Sequence, residues 1–219
     1  MSLSWRDRVE VGLYPDRLVL ARGKAAQTFP VPPGDAQAPR WRAALDALGA
    51  LEALRRTEVT VVLSSFFVRY TVVPLSEALS GAVERLAFAR HCLARIHGPL
   101  AEGWTVRLSR EIACGVEPLL VQGLRETLSA RGNRFRALEP RLMTSFNRSR
   151  KKLGDKPGWF VDVEPGLALL ALVADASWRS LRALKVGPRW EDELPGLIAR
   201  EACFVDAPSD CPRVVHAFP

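Results

Sequence analysis

The chain has 219 residues, 48% of them hydrophobic, and its 6 Trp and 9 Phe can fill the core of one large or two small domains. A formal net charge of +7 permits acidic partners, but the basic residues are scattered through predicted helices, so charge alone does not favour nucleic acid. The 4 Cys lie in separate segments without a Cys-x-x-Cys pair, so neither a zinc site nor a disulfide framework is predicted. No apolar run approaches the roughly 18 residues that span a bilayer, and we expect a cytoplasmic protein.

The first predicted element is a β-hairpin over residues 9–21. Two short apolar runs flank a turn that contains Pro15, and proline fixes the backbone angle that such a turn uses. A third strand is predicted at residues 28–31, then a helix that opens at Trp41 with leucines at helical spacing, then a strand at residues 59–63. The predicted order is therefore strand, strand, strand, helix, strand.

The same order returns roughly 150 residues later in the chain. Residues 158–173 are predicted to form a second hairpin, whose turn contains Pro165. A strand at residues 178–186 follows, then a helix that opens at Trp190, in the place that the earlier tryptophan holds, then a short strand at residues 203–205. We interpret the two segments as copies of one duplicated unit.

The chain between these copies adds further helices and strands. A strand at residues 67–73 precedes a helix that Ser76 is expected to cap. The residues expected on the buried stripe of this helix are Leu79, Val83, Leu86, Leu93 and Ile96. Strands are then predicted at residues 104–108 and 112–114, followed by a helix that opens at Pro118.

A last helix of the first copy opens at Pro140 and ends in a run of cations. These cations are Arg148, Arg150, Lys151 and Lys152. Two interpretations stay open: the cations interact favourably with the helix dipole, or they form a basic contact patch. The following residues 154–158 have the composition of a linker, which predicts a first domain at residues 1–150 and a second, truncated domain at residues 151–219.

The order of elements resembles the actin-like ATPase superfold, and within it the families of the type IV pilus protein PilM and of the cytoplasmic part of the type II secretion protein GspL. The segments that carry the resemblance are residues 9–21, 61–77, 138–140 with Asn147, and 161–163. The resemblance implies an α/β protein with a duplicated ribonuclease-H-like fold, in which helices flank two mixed sheets and the second copy is truncated. A shared fold does not by itself establish activity.

The chain departs from the nucleotide-binding pattern of that superfold. Its members hold phosphates with two Asp-x-Gly turns, in which glycine lets backbone N–H groups approach the anion. Here Pro15, which has no N–H, precedes Asp16 in the first turn, and Asp162 is followed by valine, Glu164 and Pro165 in the second. If a nucleotide binds, the candidate residues are Asp16, Asp162 and Glu164, but we expect no cofactor and no metal.

A ribonuclease-H-like fold can also support nuclease chemistry or nucleic-acid binding, so both remain alternatives, beside an ATP-binding actin-like protein. A nuclease needs several carboxylates around two Mg²⁺ ions, including an Asp in the first strand. That strand offers only Glu10, and Asp162 and Glu164 lack an obvious third partner. The sequence also contains no Gly-x-Ser-x-Gly, Walker or His-Glu-x-x-His motif, so we expect a protein that is not an enzyme.

The resemblance implies a scaffold in a pilus or secretion assembly of the cell envelope. Its implied partner is the N-terminal cytoplasmic segment of an inner-membrane protein, with a motor ATPase as a second candidate, and the membrane would be reached only through such partners. We expect docking between residues 66 and 136, a region that the second copy lacks. The candidate contact residues there are Phe66, Tyr70, Trp104, Arg107 and Arg110, because aromatic and Arg side chains are enriched in interfaces.

Overall fold

The computed structural model describes residues 7–74, 79, 81–153, 156–207 and 211–217. It consists of two compact units, each built from several segments of the chain. The first unit comprises Met1–Val68, Gly103–Thr105 and Val116–Arg141, and the second comprises Arg69–Glu102, Val106–Gly115 and Leu142–Pro219. The predicted boundary near residue 150 separates the two duplicated copies along the sequence, whereas these units are defined by compactness in space. The boundary therefore stays a prediction.

Twelve strands and five α-helices are found in the described residues, together with a short 3₁₀ helix at Pro99–Gly103. The strands are β1 (Arg8–Leu13), β2 (Arg17–Arg22), β3 (Ala25–Pro30), β4 (Glu58–Leu63), β5 (Val68–Val72), β6 (Thr105–Ser109), β7 (Ile112–Val116), β8 (Arg134–Pro140), β9 (Gly158–Glu164), β10 (Leu167–Ala174), β11 (Ser177–Lys185) and β12 (Arg213–Ala217). The helices are α1 (Arg42–Ala50), α2 (Ala82–His97), α3 (Pro118–Ala130), α4 (Arg141–Leu153) and α5 (Trp190–Val205).

The first unit is built on a five-stranded sheet of order β3-β2-β1-β4-β8. The first three strands are antiparallel neighbours, whereas β4 runs parallel to β1 and β8 runs parallel to β4. Helices α1 and α3 contact each other through their apolar stripes. Gly123 of α3 lies so close to α1 that an added Cβ would stand 2.5 Å from Leu45 Cδ2. The absence of a side chain at Gly123 therefore permits this approach.

The second unit repeats the strand order of the first. Its four-stranded sheet is β11-β10-β9-β12, again with antiparallel neighbours and then one parallel pair between β9 and β12. Every residue of β9 is buried, because Trp159, Val161 and Val163 pack on the side of α5 while Phe160 packs on the side of α4. Burial on both faces explains why residues 158–161 of this strand form an uninterrupted apolar run. The predicted duplication and its fold class are confirmed.

Two local predictions are wrong. Residues 203–205 are the end of α5 and not a strand, since the helix continues to a left-handed residue at Asp206, and the parallel strand of this copy is β12. In α2, Val83 is 82% exposed and Ile96 is also exposed, because the helix buries only a narrow stripe that contains Leu93. The expected cap Ser76 and part of the expected linker, residues 154 and 155, lie outside the described residues.

The remaining strands form a three-stranded sheet of order β5-β7-β6, most of which belongs to the second unit. Val73, directly after β5, donates a backbone hydrogen bond to the oxygen of Glu111, directly before β7, at 2.7 Å. This bond extends the pairing of the two strands. Within the part of the chain that the structure describes, no helix has both the length and the apolar character needed to cross a membrane.

Candidate functional site: two hairpin turns and a basic groove

The turn between β1 and β2 is filled by the side chain of Tyr14. The backbone of this turn closes with a hydrogen bond from Tyr14 N to Arg17 O at 3.0 Å. The Tyr14 side chain is 5% exposed and lies against Gly12, where an added Cβ would stand 2.6 Å from Tyr14 Cε2. Glycine at this position therefore makes room for the tyrosine ring, which lies over the end of β1.

A buried arginine fixes this tyrosine. Arg141, the first residue of α4, donates a hydrogen bond from Nη1 to the Tyr14 hydroxyl at 3.2 Å, and its guanidinium carbon lies 5.9 Å from the ring centroid. Both side chains are 5% exposed. The predicted site residue Asp16 is by contrast exposed, and its carboxylate lies 3.5 Å from Arg17 Nε. The first turn is thus a packed element with a carboxylate at its outer surface.

The second turn carries two buried carboxylates on one face of β9. Asp162 is 1% exposed and Glu164 is 2% exposed, and alternate residues of a strand face the same side of the sheet. Asp162 Oδ1 lies 3.4 Å from Nδ1 of His216, its register partner on β12. The prediction that Asp162 and Glu164 share one face of the strand agrees with the structure, but the sequence analysis missed His216, since a lone His in a short apolar run gives no signal of where it will pair.

The five predicted partner-contact residues differ in exposure. Arg107 and Arg110 are exposed, whereas the three aromatic residues are half-buried. Tyr70 packs against the core cluster that contains Phe160, so part of its role is structural. The structure therefore leaves the two arginines as the most accessible members of the predicted contact set.

The second unit contains a groove of about 540 Å³ that the sequence prediction did not assemble. We call it the basic groove. Its large apolar lining residues are Met143, Phe146, Leu153, Val173 and Trp178. Its cationic lining residues are Arg110, Arg150, Lys151 and Lys156. The basic run of α4 was visible in the sequence, but its meeting with Trp178 depends on the tertiary fold.

Aromatic contacts form the base of the basic groove. The Phe146 ring packs edge-on against Phe160 with centroids 5.3 Å apart, and its centroid lies 4.5 Å from that of Trp178. Trp178 is buried and its backbone N donates to Glu111 Oε2 at 3.5 Å. Such aromatic pairs contribute about 0.5–1.5 kcal/mol beyond the burial of their area. The apolar part of the groove is consequently a fixed surface.

Two hairpin turns border the same groove. Arg110 in the β6–β7 turn, and Asp175 and Ala176 in the β10–β11 turn, all have positive φ, between 50° and 57°. Left-handed conformations cost non-glycine residues about 1–2 kcal/mol each. Arg110 Nη1 donates to Ala176 O at 2.9 Å, and this hydrogen bond ties one turn to the other. The two-residue β10–β11 loop with two positive φ angles matches the twist of its strands.

Other titratable groups give no further site. Among the described residues, no three His, Cys, Asp or Glu side chains are grouped so that they could hold a metal ion. Burial raises the pKa of the Cys114 thiol to about 11, against the opposing positive charge of Arg107. Burial, followed by the charge of Arg69, lowers the pKa of His97.

Comparison with known proteins gives a clear result for the fold. No protein family and no curated protein matches the sequence. A solved structure from Bacteroides thetaiotaomicron, described as a protein with actin-like ATPase fold and unknown function, superposes with a TM-score of 0.61 at 9% identity, over 98% of this chain and 82% of that one. The chain has the actin-like ATPase fold.

Two assembly proteins share this fold with the chain. The PilM–PilN type IV pilus biogenesis complex matches with a TM-score of 0.57 at 16% identity, over 90% of this chain and 66% of that one. The cytoplasmic domain of EpsL, an inner-membrane component of the type II secretion system of Vibrio cholerae, matches with a TM-score of 0.58 at 15% identity, over 97% of this chain and 83% of that one. The structural resemblance inferred from the sequence is confirmed at the level of the fold.

Proposed function

We propose that this chain is a non-catalytic scaffold of a pilus or type II secretion-like assembly, which binds a short cytoplasmic segment of an inner-membrane protein. The fold shared with PilM and with the EpsL domain supports this proposal. The protein would work in the cytoplasm and reach the inner membrane through its partners, with a motor ATPase as a second partner.

The observation that carries the proposal is the filled first turn. A phosphate-binding turn needs backbone N–H groups that can approach the anion, usually at glycine. Here Tyr14 and Arg141 are buried in hydrogen-bonded contact and Pro15 supplies no N–H. In the second turn, the buried Glu164 stands where the phosphate-binding turn of this superfold has glycine, and Pro165 after it supplies no N–H. Both turns therefore favour a protein that acts by binding other proteins over one that acts on ATP.

The partner would dock on the region between residues 66 and 136. Arg107 and Arg110 would contact an acidic segment there, and Trp104 would supply apolar area. If the segment is acidic, its affinity falls as ionic strength rises, because exposed charges are screened beyond about 8 Å at 0.15 M salt.

The test is capture of N-terminal cytoplasmic segments of inner-membrane proteins from the native cell by the full chain, followed by affinity measurement. The double variant Trp104→Ala, Arg107→Glu, shown to be folded by its circular dichroism and melting curve, should bind the captured segment more weakly. Failure of the unaltered chain to bind any such segment, together with binding of single-stranded DNA, would contradict the scaffold proposal and favour the nucleic-acid alternative.

A further inference from the structure

We infer that the basic groove docks an acidic peptide segment that inserts an aliphatic or aromatic side chain. The inference rests on the proposed function, and it extends the docking surface from Arg110 to helix α4 and the β10–β11 turn. The groove thereby gives the run of cations at the end of α4 a binding role in addition to its favourable place at a helix C-terminus.

The lining of the basic groove carries several positive charges. Arg110, Arg150, Lys151 and Lys156 line the groove, and in the described parts of the chain none of them belongs to an ion pair. Asp175, the carboxylate among the described residues that line the same groove, lies 3.0 Å from Arg179 Nη2 and is already paired.

A second concavity, in the first unit, shows the contrast. There Arg40 and Arg42 are accompanied by Asp35 and Asp46, and Arg42 Nε lies 3.4 Å from Asp46 Oδ1. Its charges balance, whereas the basic groove presents an excess of cations over a concave surface. A concave surface lined by one sign of charge concentrates ligands of the opposite sign.

The basic groove also presents apolar surface. Met143 and Phe146 are only half-buried although they sit on the buried Trp178, so apolar surface remains open between the cations. A volume of about 540 Å³ falls within the range of about 300–1,000 Å³ that is usual for ligand pockets. A segment with one or two apolar side chains flanked by carboxylates would match both the lining and the charge.

The shape selects a peptide over other anions. A lipid surface is flat on this scale and could not reach the rings at the base of a groove. Single-stranded nucleic acid usually stacks its bases on exposed aromatic faces, but here the Phe146 and Trp178 rings pack against each other. The hydrogen bond from Arg110 to Ala176 O holds the two bordering turns, so little order has to be gained on binding.

The test uses two neighbouring lysines of α4. Lys151 lines the groove and the next residue, Lys152, does not, although both are exposed. Lys151→Glu and Lys152→Glu change the net charge equally on the same turn of the same helix, which makes the second a matched control. A random peptide display library is panned on the full chain, and the affinity of the enriched peptides is measured by fluorescence anisotropy.

We expect enriched peptides that combine Asp or Glu with a fixed Leu, Phe or Trp. Their affinity should fall about tenfold in Lys151→Glu and further in Arg150→Glu with Lys151→Glu, but change less than about twofold in Lys152→Glu. The inference would be overturned if no peptide is enriched or if the enriched peptides lack acidic residues. It would also be overturned if Lys151→Glu and Lys152→Glu lose equal peptide affinity.

Two further measurements separate the possible failures. Binding to anionic phosphatidylserine vesicles that is lost in Lys151→Glu, without acidic peptide binding, would assign the groove to a membrane surface and overturn the inference. An inner-membrane segment captured equally by the unaltered chain and by Lys151→Glu would leave the scaffold proposal intact and refute the groove. ATP hydrolysis by the chain would refute the scaffold proposal, whatever the groove binds.

Discussion

Arg141 Nη1 donates a hydrogen bond to the Tyr14 hydroxyl across 3.2 Å, joining two buried side chains that are 127 residues apart in the sequence. This contact ties the start of α4 to the first hairpin of the first unit. A buried guanidinium is costly to leave without acceptors, so the tyrosine hydroxyl has a structural task. In the turn that would cradle a phosphate in an ATPase of this fold, Tyr14 is instead buried against Gly12 and Arg141.

Replacement of Tyr14 by Phe should destabilise the protein by about 1–3 kcal/mol, because it removes a hydrogen bond to a charged group and leaves the Arg141 donor buried. Urea denaturation measures the change. Tyr14→Ala, which also removes the ring, should cost more. Equal stability of Tyr14→Phe and the unaltered chain would show that the hydroxyl is dispensable.

Replacement of Phe146 by Ala should destabilise the second unit by about 1–3 kcal/mol, since it removes a half-buried ring that contacts both Phe160 and Trp178. Val83→Ala is the control, because Val83 is 82% exposed and its truncation should change stability by less than about 0.5 kcal/mol. Thermal or urea unfolding of the two variants compares them directly. Similar losses in both would contradict the packing described for α4.

Apart from the last strand of the second copy, the order of elements along both copies was predictable, because each copy combines apolar runs with turn residues that have specific backbone roles. Gly166 illustrates this, since its φ of 85° suits glycine in the turn after Pro165. The end of α5 was not predictable in the same way. Residues 203–205 favour a strand by composition, but Ala202 and its neighbours complete a helix that packs on the second sheet.

Two glycines in helices should respond oppositely to substitution by Ala. Gly196 of α5 has open space around it, so Gly196→Ala should stabilise the protein by about 0.5–1 kcal/mol through helix propensity. At Gly123 the new Cβ would meet Leu45 of the α1–α3 contact, so Gly123→Ala should lose that gain and destabilise the protein. Denaturation midpoints measure both. Stabilisation by Gly123→Ala would mean that α1 and α3 pack less closely than described.

Cys114 and Cys203 should differ in reactivity towards iodoacetamide. Burial raises the pKa of Cys114 to about 11, so at pH 8 only about one in a thousand of its thiols is ionised, whereas Cys203 is exposed. Mass spectrometry of the native protein should find Cys203 modified first. Early modification of Cys114 would contradict the raised pKa of this half-buried thiol.

The same thiol makes stability depend on pH. The folded-state pKa of Cys114 lies above the ordinary value of 9.0 for a cysteine thiol, so the unfolded chain loses this proton first as pH rises. The contribution of the protonated Cys114 thiol to the free energy of unfolding is therefore present below about pH 9 and is lost between about pH 9 and pH 11. Urea unfolding of the Cys114→Ala variant should therefore show a smaller loss of stability between about pH 9 and pH 11 than that of the unaltered chain.

The candidate site was predictable in part. Asp162 and Glu164 alternate on one strand, so their shared face followed from the sequence. Phe146 and Trp178 are distant in sequence, and the packing of Tyr14 on Gly12 depends on one close approach. No local sequence pattern predicts either contact. The basic run of α4 was visible as charge, but the groove that it borders is a tertiary feature.

The most direct test of the central claim is the melting temperature of the full chain with and without millimolar Mg-ATP, with Mg²⁺ alone as the control. A ligand at a hundredfold excess over its dissociation constant stabilises a folded protein by about 2.7 kcal/mol. For a chain of this length, that corresponds to a rise of about 5–10 °C. The filled turn at Tyr14 and Pro15 predicts no rise and no ATP hydrolysis. A rise that requires both ATP and Mg²⁺ would contradict the account.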